Sequence, residues 1–235
     1  ATCNILNFAR KSKNLELFVY FSTDEVFGPA PNKVKYKERE RYNSTNPYSA
    51  TKAGGEELAV AFENSYHMPI FITHTMNVFG ERQHPEKFIP KCIISARDNL
   101  SVEIHSNKKK TKAGSRHYIH ASDVADGCLF LIKNRNKIVK KIKNDYGGAK
   151  CPKFNLVGPV ELDNLQLAKL IAKSVGKKLK YKMVDFHSSR PGHDLRYALD
   201  GNLMKKLGWK PKVSIEERID QVVSWTLKNK RWLKI

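Results

Sequence analysis

The chain has 235 residues, which is enough for a substantial hydrophobic core and for one domain or two small ones. An apolar fraction of 40% argues against disorder, and no apolar run is long enough to span a bilayer. Lysine and arginine number 43 against 23 acidic residues, a formal net charge of +20. Because these basic residues are dispersed and no nucleic-acid motif accompanies them, solvated surface charge is favoured over nucleic-acid binding.

The four cysteines are scattered along the chain, at Cys3, Cys92, Cys128 and Cys151. Their spacing indicates neither a metal site nor a disulfide framework. We therefore expect a reduced, cytoplasmic setting and no bound metal.

The hydrophobic pattern predicts strands and helices in alternation, which is typical of an α/β fold. The predicted strands are 15–21, 69–75, 154–157 and 179–184. The predicted helices are 47–65, 88–98, 123–133, 164–175 and a last helix from a Ser214 cap to about Asn229.

Two of these helices have clear end signals. Asn46 is expected to cap the first of them, with Pro47 at its first helical position. Asp163 and Gln166 form a capping box for another, which should stop at Gly176.

The helix that begins at Pro47 has an apolar stripe, predicted from helical periodicity. Its expected members are Ala50, Ala53, Leu58, Ala61 and Phe62. Such a stripe suits an intramolecular core or a contact between two copies equally well.

A tyrosine and a lysine stand four residues apart in the same helix. Tyr48 and Lys52 therefore project from one helical face. A lysine ammonium beside a phenol favours the phenolate and lowers the tyrosine pKa. The pair predicts a general base that works near neutral pH.

Two carboxylic acids follow the first predicted strand. Asp24 and Glu25 come directly after Thr23, and Asn77 follows the next strand. Ligands bind at the carboxyl ends of parallel strands, so these residues are expected to face one crevice. A base for an alcohol proton beside an acid/base pair suggests an oxidation coupled to loss of water.

Five sequence blocks carry a family resemblance that extends over essentially the whole chain. They are 22–28 (STDEVFG), 47–52 (PYSATK), 77–80 (NVFG), 85–90 (PEKFIP) and 190–197 (RPGHDLRY). In this order they resemble the nucleotide-sugar 4,6-dehydratases of the extended short-chain dehydrogenase/reductase superfamily.

The resemblance implies a doubly wound, Rossmann-type parallel sheet with a smaller α/β substrate-binding lobe. Residues 1–80 would be the C-terminal remnant of the NAD-binding domain, and 81–235 mainly the sugar-nucleotide lobe, with some helices returning to the first domain. The family's glycine-rich turn is not found near Ala1. We therefore expect an N-terminally truncated chain that binds NAD poorly and is inactive by itself.

The resemblance also implies roles for the matching residues. Tyr48 would accept the C4 hydroxyl proton of the sugar, Thr23 would hydrogen-bond the same oxygen, and Lys52 would hold the nicotinamide ribose. Glu25 would remove the C5 proton while Asp24 protonates the departing C6 hydroxyl. These two carboxyl groups must then have their pKa values pushed apart.

Further residues match less central family positions. Ser22 joins Tyr48 and Lys52 as an expected cofactor contact. The expected substrate contacts, besides Thr23, are Asn77, Lys87, Arg116, Asn155, Arg190 and His193.

The sequence therefore predicts NAD-dependent dehydration of dTDP-glucose or UDP-glucose to the 4-keto-6-deoxy sugar. The substrate is a nucleoside-diphosphate sugar, the full-length form is expected to be a homodimer, and no membrane partner is expected. One alternative is a related nucleotide-sugar epimerase or decarboxylase, which has no need for the acidic pair. A second is an inactive basic protein that binds nucleotides or nucleic acid.

Overall fold

A computed structural model describes residues 1–142, 151–185 and 196–233. Within them the α-helices are α1 (Thr2–Arg10), α2 (Pro47–Tyr66), α3 (Phe88–Arg97), α4 (Ala121–Lys133), α5 (Arg135–Ile142), α6 (Asn164–Val175), α7 (Asn202–Leu207) and α8 (Ile215–Lys228). The strands are β1 (Phe18–Thr23), β2 (Ile70–Thr75), β3 (Asn77–Phe79), β4 (Ser101–Ser106), β5 (Ser115–His120), β6 (Lys153–Leu156), β7 (Glu161–Asp163) and β8 (Lys180–Asp185). Short 3₁₀ helices cover Asp24–Phe27 and Lys230–Leu233. Of these described helices, none has both the length and the apolar character that a membrane crossing needs.

The chain divides into two compact units, each built from three segments. The first unit comprises Ala1–Met76, Val124–Val157 and Ala198–Lys210, and the second comprises Asn77–Asp123, Gly158–Tyr197 and Pro211–Ile235. That the first serves NAD and the second the sugar nucleotide stays a prediction.

The first unit contains a parallel sheet of strand order β1-β2-β6. β1 and β2 are paired from Phe18 opposite Ile70 to Thr23 opposite Thr75, so their carboxyl ends are level. β2 is buried along most of its length, as expected for a strand with neighbours on both sides. This sheet with its flanking helices confirms the predicted α/β class.

Helices α1 and α2 pack with this sheet around one apolar core. The core is a set of small and branched side chains that fit between the two helices and the strands. Its buried members are Leu6, Ala9, Ala59, Phe62, Met68, Ile70, Ile72 and Cys151.

The second unit has a separate core formed by α3, α6 and α8 together with two small sheets. The sheets have strand orders β3-β5-β7 and β4-β8. Ile93, Ile104, Leu167, Ile171 and Ile219 are fully buried there.

Helix ends with side-chain caps were predicted best. The helix α6 has the predicted capping box, in which Asp163 and Gln166 bond reciprocally, and it stops at Gly176 in the left-handed conformation (φ 76°). Strand β1 begins at Phe18 rather than residue 15. Its first amide donates to the Pro69 carbonyl oxygen, and this bond to the neighbouring segment fixes where the ladder starts.

The predicted apolar stripe of α2 is partly wrong. Ala53 and Phe62 are buried, but Ala50, Leu58 and Ala61 are exposed. The other buried positions are Ser49, Gly55, Glu56 and Ala59. Polar residues whose side chains bond inside the protein occupy part of the buried face of α2, which periodicity had assigned to alanine and leucine.

Two adjacent glycines of α2 give a matched test of this packing. A Cβ atom on Gly55 would lie 2.0 Å from the Tyr20 hydroxyl oxygen, whereas one on Gly54 would have no heavy atom within 4 Å. We expect Gly55→Ala to lower the free energy of unfolding by about 1–3 kcal/mol, because the Tyr20 ring must move. Gly54→Ala should raise it by up to about 1 kcal/mol through helix propensity.

Urea unfolding of the two variants measures the difference. Equal effects of both substitutions would contradict the close approach of Tyr20 to the helix.

Candidate active site

The carboxyl end of β1 turns directly into a short 3₁₀ helix that carries the acidic pair. Thr23 caps this helix, since its hydroxyl oxygen accepts a hydrogen bond from the Glu25 amide (3.4 Å). The turn leaves Thr23 and Asp24 buried and Glu25 half-buried. Adjacent carboxyl groups therefore have different exposure.

The two carboxyl groups also have different bonding partners. The Thr23 hydroxyl donates to Asp24 Oδ1 (3.1 Å), while Asn46 Nδ2 donates to Glu25 Oε2 (2.8 Å). The two neighbouring acids are therefore held by different polar groups.

Asn46 has two functions, of which the sequence predicted one. Its Oδ1 accepts from the Ser49 amide (2.9 Å) and so caps α2, as expected. Its amide nitrogen holds Glu25. Ser, Thr and Asp also cap helices, but of these residue types only asparagine has a side-chain amide that can donate to a carboxylate at the same time. That choice of residue is the signal that could have revealed the contact.

Tyr48 lies in the first turn of α2, with its phenol close enough to the Thr23 side chain to affect its pKa. It is 53% exposed. Burial raises the pKa of Tyr48, the Glu25 and Asp24 carboxylates raise it further, and the hydrogen bond with Thr23 only partly offsets this. The expected lowering of the Tyr48 pKa is therefore not found, because burial, and after it the two nearby carboxylates, oppose phenolate formation.

Lys52 lies one helical turn after Tyr48 and is fixed against β1. Its Nζ donates to the Phe21 carbonyl oxygen (2.5 Å) and lies 5.2 Å from the centre of the Tyr20 ring. The Tyr20 hydroxyl in turn donates to the Lys52 carbonyl oxygen (3.3 Å). Both ends of the lysine residue are thus held by the same strand.

Glu56 continues this face of α2 after Tyr48 and Lys52 and is fully buried. The hydroxyl of Ser22, the expected cofactor contact, donates to Glu56 Oε1. Lys52 and Glu56, four residues apart on α2, therefore bond to Phe21 and Ser22 of β1, and Tyr48 lies near Thr23. Sequence reasoning missed Glu56, although a carboxylate one turn after Lys52 on a packed face was the available signal.

Three more polar side chains reach the Glu56 carboxylate. The Tyr42 hydroxyl donates to Oε2 (2.6 Å), Lys153 Nζ lies 3.1 Å from the same oxygen, and His74 Nε2 lies 3.1 Å from both oxygens. Burial alone would raise the pKa of Glu56, but the hydrogen bonds and positive charges outweigh it and lower the pKa to about 2. Glu56 is an ionised carboxylate inside the protein.

Asn155, an expected substrate contact, is fully buried in the same network. Its Oδ1 lies 2.9 Å from His74 Nδ1, and its Nδ2 donates to the carbonyl oxygens of Tyr36 and Asp200 (3.0 Å each). The side-chain amide is engaged inside the first unit. A contact between Asn155 and a substrate stays a prediction.

Glu38 adjoins this network as a second buried acid. Its Oε1 accepts from the Asn155 backbone amide (3.4 Å). Burial raises the pKa of Glu38 to about 7, and the Asp200 carboxylate adds to the rise. Glu38 and Glu56 therefore have opposite pKa shifts in neighbouring parts of one network.

The other expected substrate contacts belong to the second unit or lie outside the described residues. Asn77 opens β3 and is paired with Tyr118 of β5, and Lys87 is exposed at the start of α3. The Arg116 guanidinium lies 5.5 Å from the centre of the Tyr197 ring. Arg190 and His193 are not among the described residues. For all five, substrate binding stays a prediction.

Comparison with known proteins gives consistent matches. Residues 1–222 match a family model described as GDP-mannose 4,6 dehydratase. A dTDP-D-glucose 4,6-dehydratase of Bos taurus is 31% identical over 230 residues, covering 96% of this chain and 60% of that protein. A trifunctional protein of Arabidopsis thaliana, named for UDP-glucose 4,6-dehydratase, UDP-4-keto-6-deoxy-D-glucose 3,5-epimerase and UDP-4-keto-L-rhamnose-reductase, is 31% identical over 230 residues, covering 97% of this chain and 32% of that protein.

Solved structures agree with the sequence matches. DesIV, a dTDP-glucose 4,6-dehydratase of Streptomyces venezuelae crystallised with NAD and TYD bound, has a TM-score of 0.82 and 28% identity, covering 99% of this chain and 66% of that chain. UDP-glucose 4-epimerase of Thermus thermophilus in complex with NAD shares the fold, with a TM-score of 0.80 and 22% identity, covering 95% of this chain and 68% of that chain. The chain thus spans about two thirds of these structures, and 60% of the bovine relative.

The buried acid Glu38 gives a test of the network that needs no enzymatic activity. Between its ordinary pKa of 4.5 and its folded-state pKa of about 7, the folded protein keeps a proton that the unfolded chain releases. Stability contributed by this group should therefore be lost as the pH rises through that window, by on the order of 3 kcal/mol. We expect Glu38→Gln to remove this part of the pH dependence.

Urea unfolding at about pH 5 and about pH 8 measures the effect. The control is Glu40→Gln, which changes an exposed acid of the same segment. If Glu38→Gln and Glu40→Gln altered the pH dependence equally, Glu38 would not be a protonated buried acid.

Proposed function

The chain belongs to the GDP-mannose 4,6 dehydratase family, within the nucleotide-sugar 4,6-dehydratases of the extended short-chain dehydrogenase/reductase superfamily, and we propose that it carries the catalytic residues for dehydration of a nucleoside-diphosphate glucose. The observation that supports this best is the contact between Tyr48 and Thr23 directly before the acidic pair. An alcohol base and two carboxyl groups then lie at one strand end. Relatives named for dTDP-glucose and UDP-glucose support these two substrates.

In the proposed reaction Tyr48 accepts the proton of the C4 hydroxyl, and Thr23 hydrogen-bonds the same oxygen. The ketone formed at C4 makes the C5 proton acidic, and Glu25 removes it. Asp24 gives a proton to the C6 hydroxyl, which leaves as water. These opposite proton transfers require the pKa values of the two carboxyl groups to differ when substrate is bound.

The residues also suit a bound NAD. Lys52 has three N–H groups, and the Phe21 oxygen uses one of them, so donors are left for the hydroxyls of the nicotinamide ribose. When bound, NAD supplies hydride acceptance at C4 and hydride return to C6, with no net oxidation. Because burial and the acidic pair raise the pKa of Tyr48, its proton transfer needs compensating positive charge, and Lys52, one helical turn later, can supply it.

Several wider inferences belong to the same proposal. We propose that the complete gene product uses NAD, binds the sugar nucleotide through residues of the second unit, and forms a homodimer. A cytoplasmic location and the inactivity of these 235 residues alone stay predictions.

The acidic pair provides the decisive test. In the complete gene product, we expect Glu25→Gln to lower the rate of water loss from dTDP-glucose or UDP-glucose by roughly 100-fold or more, because the C5 proton then has no base. Mass spectrometry of the product, which is lighter by one water, measures this rate with added NAD. Glu40→Gln should leave it unchanged.

Two results would favour the alternatives. Full turnover of a nucleotide sugar by Glu25→Gln would favour an epimerase or decarboxylase, since those reactions do not need the acid/base pair. Binding of DNA at moderate salt without binding of any nucleotide sugar would favour a basic nucleic-acid-binding protein.

A further inference from the structure

A cluster of polar side chains lies inside the first unit, behind the residues that the proposed reaction uses. Glu56 of α2, His74 of β2 and Asn155 of β6 are each 0% exposed. Such groups are costly to bury unless every donor meets an acceptor, so their bonding pattern restricts where the protons are.

The orientation of the Asn155 amide is determined by the protein backbone. One end of the amide lies 3.0 Å from the carbonyl oxygens of both Tyr36 and Asp200. Carbonyl oxygens only accept hydrogen bonds, so that end must be the NH₂ group. The other end, 2.9 Å from His74 Nδ1, is therefore the amide oxygen.

This orientation requires a proton on His74 Nδ1. The Asn155 oxygen can only accept, and two acceptors 2.9 Å apart with no proton between them would repel each other. Nδ1 must then be the donor.

The second ring nitrogen faces an acceptor as well. His74 Nε2 lies 3.1 Å from both oxygens of Glu56, which also accept hydrogen bonds from Ser22, Tyr42 and Lys153. The Lys153 ammonium beside this carboxyl group favours its ionised form, which has no proton to give, so Nε2 must also be a donor. The remaining described ring close to His74 is Phe27, at 4.9 Å between centroids in an edge arrangement, and it carries no charge.

We propose that His74 is an imidazolium, protonated on both ring nitrogens, and that its ion pair with Glu56 positions the catalytic end of β1 against α2. Lys153, 3.1 Å from Glu56 Oε2, is a second cation in the cluster. Ser22 donates to the same carboxylate and directly precedes Thr23. The pair therefore acts on the reacting groups through Ser22 on one side and through α2 on the other.

The charge state is tested directly by NMR of the chain labelled with ¹⁵N in its histidine rings. We expect both ring nitrogens of His74 to stay protonated from about pH 6 to about pH 8, a range over which exposed histidines lose a proton. The signal is assigned by its absence in His74→Gln or, if that variant does not fold, by replacing the other histidines one at a time. A ring of wild-type His74 with one bare nitrogen anywhere in this range would overturn the proposal.

A matched pair of variants on α2 tests the ion pair. Glu56→Gln removes the counter-charge, and we expect His74 to lose a ring proton as the pH is raised. Glu57→Gln removes an exposed charge at the next position and should leave the ring doubly protonated. Retention of both protons in Glu56→Gln would overturn the pairing. If Glu56→Gln does not fold, the wild-type spectrum decides the charge state.

The positioning role rests on the proposed function, whereas the charge state does not. In the complete gene product, Glu56→Gln should lower kcat by on the order of tenfold with a smaller change in KM, because the reacting groups lose alignment. An unchanged kcat would overturn positioning. Absence of dehydration in the wild-type product would count against the proposed function alone, since the ring protonation is read without turnover.

Discussion

The buried carboxylate of Glu56 is the constraint on which the first unit depends. A charge without solvent is stable only if donors surround it, and here they come from separate parts of the chain: Ser22 on β1, His74 on β2, Lys153 on β6 and Tyr42 in the segment before α2. Each donor that belongs to a strand must therefore lie at the position along that strand that brings it within hydrogen-bonding distance of Glu56. The order and register of the parallel sheet are therefore tied to one helical side chain, in addition to the apolar packing around Ile70 and Ile72.

The same constraint determines how α2 is rotated about its axis. With Glu56 held inward, the residues four and eight positions earlier, Lys52 and Tyr48, must face β1 too. Burial decreases along this line, from the enclosed Glu56 to Tyr48, which is about half exposed. A polar anchor at one end of the helical face thus presents an accessible phenol at the other, beside Thr23. The same face of α2 therefore carries both the buried Glu56 and the proposed base Tyr48.

Features with a local sequence signal could be predicted from the sequence, whereas features that depend on contacts between distant residues could not. The ends of α6 were predicted because a capping box and a left-handed glycine are local features. The family blocks identified Thr23, Tyr48 and Lys52 as expected site residues, and the structure places them at the end of β1 and the start of α2. Glu56 and His74 were missed because periodicity treats charged residues as exposed, and only the folded sheet shows their partners. Strand β5 (SRHYIH) was missed for a related reason, since its polar composition hides a buried strand.

The four-residue spacing along α2 also limits how this protein can change length. An α-helix turns by about 100° per residue, so one residue added or removed between Asn46 and Glu56 would rotate the cap by about 100° relative to Glu56. Compensation by the strand is not available, because β1 meets this stretch at three successive residues, Phe21, Ser22 and Thr23. Insertions and deletions that evolution accepts in this helix should therefore fall after Phe62, near its C-terminal end at Tyr66. The length of the stretch from Asn46 to Glu56 is as much a part of the proposed active site as the identity of its residues.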